Sequence, residues 1–259
     1  MPINFHDKHN RMTYTTRTAD VSWLSLIEEH VGISGKKVVD IGCGGGIYTK
    51  ALANSRAAHV IGVDFSSEML KGAARQCENL SNVTLQQGSA YNSGLPDNTC
   101  DIVLERALIH HLHDLDSCFQ EAKRILKAGG VFIIQDRTPE DCLLPGDENH
   151  IRGYFFEKYP HLIDMERSRR HKAHEVQSSL DSNGFTVAKT AQLWETRYIY
   201  PDLAALNKDL TQRTGRSILH ELTDDELNEL IEFINSKLKN HTDPIIEKDA
   251  WTVWIAVKI

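Results

Sequence analysis

The 259-residue sequence predicts an α/β fold, a mostly parallel sheet with helices on both faces. Three observations predict it. Strand and helix patterns alternate from residue 36 to residue 137, the signature of βαβ units. A run of glycines, VVDIGCGGG at 38–46, follows the first of those strands directly. An acid, Asp64, closes the next strand about twenty residues past the glycines.

The elements follow in order. Residues 1–17 are polar and aperiodic, and a helix is expected from about Ala19 to His30, where Val21, Trp23, Leu24 and Ile27 recur at helical spacing. KKVVDIG (36–42) is an apolar strand, Ile47 to Ser55 a helix, and HVIGVD (59–64) a second strand. Ser66 caps a helix to about Leu80, with Glu68 in its first turn. VTLQQG (83–88) and CDIVLER (100–106) are strands separated by a turn-rich loop. Asp114 caps a helix to Lys127, AGG (128–130) stops it, and VFIIQD (131–136) is a strand. Strands without polar alternation, separated by helices, are those of a parallel sheet covered on both sides.

After residue 137 the rhythm breaks. Residues 138–165 hold Pro139, Pro145, Pro160 and several aromatics without a clear period. A helix is expected over 168–182, ended by Asn183-Gly184, then a strand over 185–194. Residues 202–214 and 223–240 read as helices, the second opened by a Thr223/Glu226 capping box, and WTVWIAVKI (251–259) is a last strand. In that strand Trp251 and Trp254, three apart, fall on opposite faces. The division read from this pattern is 1–35 as an N-terminal cap helix region and 36–137 as the core. Residues 138–259 complete the sheet, with cap insertions at 138–165 and 202–245, in one integrated domain.

Composition is that of an ordinary globular chain, 41% hydrophobic and 25% charged, with a net charge of −7. An acidic balance argues against a protein that coats nucleic acid, since phosphate binding needs a basic footprint. The five cysteines form no CxxC pair, so neither a disulfide framework nor a zinc site is expected, and a reducing compartment is the default. The first residues lack the apolar core of a secretory signal, and no run approaches the roughly 18 apolar residues of a membrane helix. The chain reads as a soluble cytoplasmic protein without a membrane partner; its oligomeric state is not legible.

The glycine turn and the acids carry the chemistry. A glycine-rich passage from strand to helix lets a ligand approach bare backbone, and the helix N-terminus favours negative charge. The dinucleotide fingerprint GxGxxG, laid on Gly42 and Gly44, needs glycine at 47, where Ile47 stands. What is present is DxGxGxG from Asp40 through Cys43 to Gly46; a generic tight turn explains it equally well. Asp64 is placed either to accept from ribose hydroxyls or to cap the helix after it. Gly88, Ser89 and Ala90 end the third strand with small residues against which a flat base can lie, and Glu105-Arg106 end the fourth.

Together VVDIGCGGGIYT, VIGVDFSSEML, QQGSA, LPDNTCDIVLERALIHHL and RILKAGGVFIIQD resemble the class I S-adenosylmethionine-dependent methyltransferases. The resemblance covers residues 36–137 and is closest to the small-molecule group that includes the quinone-biosynthesis C-methyltransferases. It implies a Rossmann-like, seven-stranded, mostly parallel sheet with a helical cap, the last strand running antiparallel beside 185–194. It also implies S-adenosyl-L-methionine as methyl donor and S-adenosyl-L-homocysteine as product. By the same resemblance Gly42, Gly44 and Gly46 shape the loop under the methionine part of the cofactor. Asp64 holds the ribose, Phe65 and Met69 flank the adenine, and Ser89 and Ala90 border its amino edge. Many relatives have Asp where Ser89 stands. Arg106 falls near the methionine end or the substrate. Tyr14 and Arg17 look like cap residues that close over the cofactor, Arg17 pairing with its carboxylate; a poorly ordered terminus is the alternative.

Methyl transfer from a sulfonium is an in-line displacement, which needs positioning above all, and a base only where the nucleophile must lose a proton. IHHLHD (109–114) follows the fourth strand, so His111 and His110 are candidates for base or orienter; packing and helix capping are the alternatives. A metal site is not expected, because no carboxylate or cysteine cluster completes HHLH. Leu104-Glu105-Arg106-Ala107 stands where many amino-methyltransferases carry a proline motif, and no Pro-Cys occurs. The basic run Arg167, Arg169, Arg170, His171 and Lys172 suits an acidic substrate or a phosphate, or is simply a solvated helix face. The reading is methyl transfer to a small organic acceptor. The alternatives are a tRNA- or protein-directed methyltransferase and a non-catalytic cofactor-binding regulator.

Overall fold

The computed structural model describes residues 18–241 and 244–259. Seven strands form one sheet: β1 (Lys37–Ile41), β2 (His59–Asp64), β3 (Val83–Gln87), β4 (Cys100–Arg106), β5 (Leu126–Asp136), β6 (Phe185–Tyr200) and β7 (Ile245–Lys258). Their order is β3-β2-β1-β4-β5-β7-β6. The pairs β1–β2, β2–β3, β1–β4 and β4–β5 are parallel, and β7 runs antiparallel to β5. The expected Rossmann-like sheet is therefore the one the chain forms, with the last strand inserted between β5 and β6.

Ten helices accompany it among the described residues: α1 (Val21–His30), α2 (Ile47–Asn54), α3 (Ser67–Gln76), α4 (Leu115–Ile125), α5 (Pro139–Cys142), α6 (Gly153–Lys158), α7 (Leu162–Ser168), α8 (Ala173–Ser182), α9 (Leu203–Thr211) and α10 (Asp224–Leu238). The caps read from the sequence are made. Ser66 accepts from Met69 N–H, Asp114 from Ser117 N–H, and Thr223 and Glu226 close a capping box. No helix among the described residues is long and apolar enough to cross a membrane.

Several boundaries differ from expectation, among them the helix expected to reach Leu80, which ends at Gln76. The helix expected to reach Lys127 ends at Ile125, and AGG lies inside β5. The register explains it: Cys100 faces Leu126 but Ile102 faces Val131, so residues 127–130 loop out of the ladder with Gly129 at φ +70°. The stretch 138–165, aperiodic in sequence, forms the short helices α5, α6 and α7; helices of one or two turns are too brief to show a period. The helix expected from Ser168 starts only at Ala173, because α7 claims Ser168. Strands β6 and β7 extend well beyond the expected 185–194 and 251–259.

The contacts fall into two compact units. Among the described residues one comprises 18–136, 173–193 and 252–259, and the other 137–172 and 194–251. In the first, side chains of successive strand residues feed two cores. Val39, Ile41, Val103, Phe132 and Ile134 pack with Phe119 and Ile125 of α4 and Val176 and Leu180 of α8. Val38, Val60, Ile102, Leu104 and Ile133 pack with Trp23 and Ile27 of α1 and Leu52 of α2. This is the two-sided burial that apolar parallel strands require. The second unit has its own core, in which Phe155, Leu206, Leu210, Leu230 and Ile234 are fully buried. It also buries charge: Arg216 and Tyr200 meet on Glu247, at 2.6 and 2.9 Å, and both reach Asp209.

Candidate functional site

The strand order reverses between β1 and β4. Their C-terminal ends, with Ile41 opposite Glu105, open the crevice where open α/β sheets take ligands. Nearly every site residue expected in the first unit sits at this edge.

From Ile41 the chain turns through Gly42, Cys43 and Gly44 into α2. Two successive N–H groups, Gly42 and Cys43, donate to Val63 O at 2.8 and 3.0 Å. Asp64 then fixes the turn. Its Oδ2 accepts Gly44 N–H at 2.9 Å and its Oδ1 accepts Ser66 N–H at 2.9 Å. The acid thus ties the glycine turn to the start of α3. Gly44 and Gly46 have φ of +53° and +85°, in the left-handed region. A Cβ on Gly46 would stand 2.9 Å from Cα and Cβ of Ala73, so α2 can start this close to α3 only with glycine there.

Around the turn, Asp40 is buried in β1 and accepts Thr49 Oγ1–H at 2.6 Å. Burial pushes its carboxyl up to about 7, with Asp64 adding to the rise and Thr49 and Arg106 opposing it. The Cys43 thiol is buried and held well above its ordinary range by burial, so it is no nucleophile. Met69 is buried, and its Cε would lie 3.3 Å from a Cβ on Gly44. Phe65 is 47% exposed, which leaves an aromatic surface beside Asp64. Gly88 N–H donates to Asp64 O at 3.1 Å, bringing the 88–90 stretch against the same strand end, and Ala90 is buried. Ser89 is in a tight turn; its Oγ accepts Asn92 N–H at 3.1 Å. Tyr14 and Arg17 lie outside the described residues.

On the β4 side, the Arg106 guanidinium lies 4.0 Å over the Tyr48 ring of α2, and its Nε donates to Gln135 Oε1 at 3.2 Å. Ala107 follows in a left-handed conformation, φ +50°, held by its N–H to Gln135 O. The chain then makes a short 3-10 turn, Ile109–His111. His110 Nδ1 lies 2.9 Å from both oxygens of Asp136 at the end of β5, and His110 N–H donates to Asp136 Oδ2 at 3.2 Å. Asp136 is 2% exposed. A carboxylate only accepts, so it places the ring hydrogen on Nδ1 and leaves Nε2 to take a proton. His111 is exposed, its ring centroid 3.9 Å from that of His110. The two histidines are thus adjacent but differently held, and His110 is the anchored one. Among the described residues no three His, Cys, Asp or Glu side chains gather as a metal-binding set.

Asp136, Thr49 and Tyr48 were not among the expected site residues. Asp136 had a signal: like Asp64, it is an acid at the last position of a strand. Thr49 and Tyr48 had none, because helix spacing alone does not say which strand they meet. Glu105 is fully buried with Cys118 Sγ at 3.2 Å as its hydrogen-bond partner, and burial holds its carboxyl up near about 8.

Comparison with known proteins agrees with this geometry. Residues 39–134 match the methyltransferase domain family. The chain is 36% identical over 118 residues to YcgJ of Bacillus subtilis strain 168, described as an uncharacterized methyltransferase; the match covers 44% of this chain and 46% of YcgJ. It is 37% identical over 128 residues to the ubiquinone biosynthesis O-methyltransferase of Pseudomonas fluorescens, covering 48% and 53% of the two chains. The chain thus spans about half the length of the curated relatives it matches. The crystal structure of an S-adenosylmethionine-dependent methyltransferase from Aquifex aeolicus superposes with a TM-score of 0.59 at 16% identity, over 98% of this chain and 99% of that one, which shows the shared fold.

Proposed function

We propose that this chain, whose residues 39–134 carry a methyltransferase domain on a class I fold, transfers the methyl group of S-adenosyl-L-methionine to a small organic acceptor. The observation that carries the reading is the Asp64 anchor. One carboxylate at the end of β2 holds the glycine turn by Gly44 N–H and the start of α3 by Ser66 N–H, and so stands at the strand end where an acid can meet ribose hydroxyls.

The residues present fit the donor. Gly42 and Gly44 offer bare backbone, which a Cβ at Gly44 would obstruct at 3.3 Å from Met69 Cε. Phe65, Met69 and Ala90 offer apolar surface to a flat base. When bound, the donor supplies an electrophilic methyl on a sulfonium, and in-line displacement needs no acid at the leaving sulfur. The chain's own part is to position the acceptor, exclude water, and take a proton where the acceptor carries one. His110 Nε2 is the atom for that proton, with Asp136 fixing the ring. His111 completes the histidine pair. Arg106, stacked on Tyr48, is rigid enough to orient an anionic group of donor or acceptor. The insertions at 138–165 and 202–245 are proposed to choose the acceptor. The names of the quinone-pathway relatives support a small organic acceptor.

The test is calorimetric titration of the purified chain with S-adenosylmethionine, S-adenosylhomocysteine and NAD. Micromolar binding of the adenosyl ligands and none of NAD is expected, with at least a ~30-fold loss in an Asp64→Ala variant, on the order of two charge-assisted hydrogen bonds. No binding of either adenosyl ligand overturns the reading.

A further inference from the structure

The loop that follows β4 is fastened at three points, all within residues 18–136. Ala107 N–H donates to Gln135 O at 2.8 Å, and His110 N–H to Asp136 Oδ2 at 3.2 Å. Leu108 lies against the glycine turn, where a Cβ on Gly42 would stand 2.8 Å from Leu108 Cδ1. Residues 107–110 are thus packed directly on the backbone proposed above to carry the methyl donor. The His110 ring is held as well. Its Nδ1 lies 2.9 Å from each oxygen of Asp136, while its Nε2 has no hydrogen-bond partner among the described residues and is not buried. The side chain keeps 18% exposure. Beside it stands the exposed His111 ring, its centroid 3.9 Å away.

A fixed base at this place serves only an acceptor that must give up a proton to react. An amine attacks with a lone pair it already carries and sheds its proton to water afterwards. A thiol, with a pKa of about 8.5, ionises largely by itself near neutrality. A hydroxyl must lose its proton as it attacks. Transfer to an imidazole of pKa about 6.5 is uphill by about 3,000-fold from a phenol of pKa about 10, and by about 10⁹-fold from an alcohol as weakly acidic as water, near 15.7. One imidazole with one carboxylate behind it matches the first task and falls far short of the second. The flat His111 ring beside the base is a surface on which an aromatic acceptor can lie.

We infer that the methyl acceptor is a phenol, methylated on oxygen, with His110 Nε2 as the base; the inference rests on the methyl-transfer reading. As the phenol oxygen attacks, its O–H bond breaks and the proton passes to Nε2. An oxygen electron pair forms the C–O bond to the methyl. The C–S bond breaks with its pair left on sulfur, so the products are a methyl ether and neutral S-adenosylhomocysteine. The imidazolium meets the Asp136 carboxylate and then returns the proton to water. The oxygen that has lost its proton is the atom held beside the base, and so the atom that takes the methyl.

The test has two readouts. The first is calorimetric binding to the full chain saturated with S-adenosylhomocysteine, each phenol set against its methyl ether: phenol and anisole, catechol and guaiacol, 4-hydroxybenzoate and 4-methoxybenzoate. At least one phenol is expected to bind about tenfold tighter than its ether, and His110→Phe to erase that difference. The second is turnover with S-adenosylmethionine for the same ring bodies as phenol, aniline, thiophenol and benzyl alcohol, each corrected for the enzyme-free rate. A phenol is expected to be fastest by about tenfold or more, and His110→Phe to slow it by about 10²-fold or more. 4-Nitrophenol, already ionised in mildly alkaline buffer, should be slowed less than about tenfold by the same variant, whereas a merely structural loss slows both acceptors alike. Ethers that bind as tightly as their phenols, a faster aniline, thiophenol or benzyl alcohol, or a methyl found on ring carbon each overturn the phenol-oxygen assignment. Equal slowing of phenol and 4-nitrophenol overturns the base. Adenosyl ligands that bind while no phenol turns over overturn this inference alone; adenosyl ligands that do not bind overturn the methyl-transfer reading and this inference with it.

Discussion

Asp64→Ala tests whether the acid is part of the fold as well as of the ligand site. The side chain accepts two backbone N–H groups, from Gly44 and Ser66, each at 2.9 Å. Ser66 is fully buried, so removing the carboxylate strands its N–H without water, a loss of about 1–3 kcal/mol. Gly44 is half-buried, and water can replace its partner at a cost nearer ~1 kcal/mol. The sum is about 3 kcal/mol, which for a chain of this size lowers the melting midpoint by roughly 6–12 °C. The assay is thermal unfolding of the ligand-free protein followed by far-ultraviolet circular dichroism. Asp64→Asn should fall about halfway, because the amide oxygen keeps one N–H while its NH2 group opposes the other. A ligand-free Asp64→Ala protein that melts within about 2 °C of the parent, while losing its adenosyl ligand, refutes the reasoning. The acid would then serve the ligand alone.

Gly46→Ala forces φ +85° on a residue with a Cβ and drives that Cβ to 2.9 Å from Ala73, and strain plus overpacking should cost about 2–5 kcal/mol. A thermal midpoint unchanged in that variant contradicts the packing described for α2 on α3. His110→Asn is expected to cut turnover by about 10²–10⁴ for an acceptor that must lose a proton, with S-adenosylhomocysteine affinity unchanged within about twofold; equal turnover removes the proton role from His110. Glu105→Gln replaces a carboxyl that burial holds near about 8 against an ordinary 4.5. Between those values the native state keeps a proton the unfolded chain has lost, so the native protein loses stability as pH rises from about 4.5 to 8, and glutamine does not titrate. The advantage of Glu105→Gln should therefore grow by about 3 kcal/mol between pH 5 and pH 8, read as diverging melting midpoints; parallel midpoints show that Glu105 is not held protonated.

How much of this was legible in the sequence depends on what each feature is made of. The sheet was legible because parallel strands buried on both faces, such as VVDI and DIVL, leave apolar runs with little else to explain them. The glycine turn was legible because it is built from backbone: a left-handed turn needs glycine at Gly44 and Gly46, and a strand end delivers Asp64 beside it. The loop at 127–130 was not, since AGG ends a helix as readily as it bulges a strand, and only the pairing of Cys100 with Leu126 distinguishes them. The anchor of His110 was hidden for a different reason. Asp136 lies 26 residues away, and only the β4–β5 pairing brings the two strand ends together. The buried arginines were hidden most deeply. In the run at 167–172 nothing local tells Arg170, which is buried on Glu166, from Arg167, which is 60% exposed.

Four buried acids, two in each unit, respond to pH in opposite ways according to their partners. In the first unit, Asp40 and Glu105 have a hydroxyl and a thiol for partners, Thr49 and Cys118, and among the described residues no guanidinium within salt-bridge distance. Burial wins, and both carboxyls rise, to about 7 and about 8. In the second, Glu166 and Asp249 are buried as deeply, yet arginines on each side keep them ionised. A group whose folded pKa is raised loses stability as pH climbs, whereas Glu166 and Asp249 contribute stability above their ordinary values of 4.5 and 3.8 that is lost as pH falls. Alkali thus weakens what Asp40 and Glu105 contribute, and acid what Glu166 and Asp249 contribute.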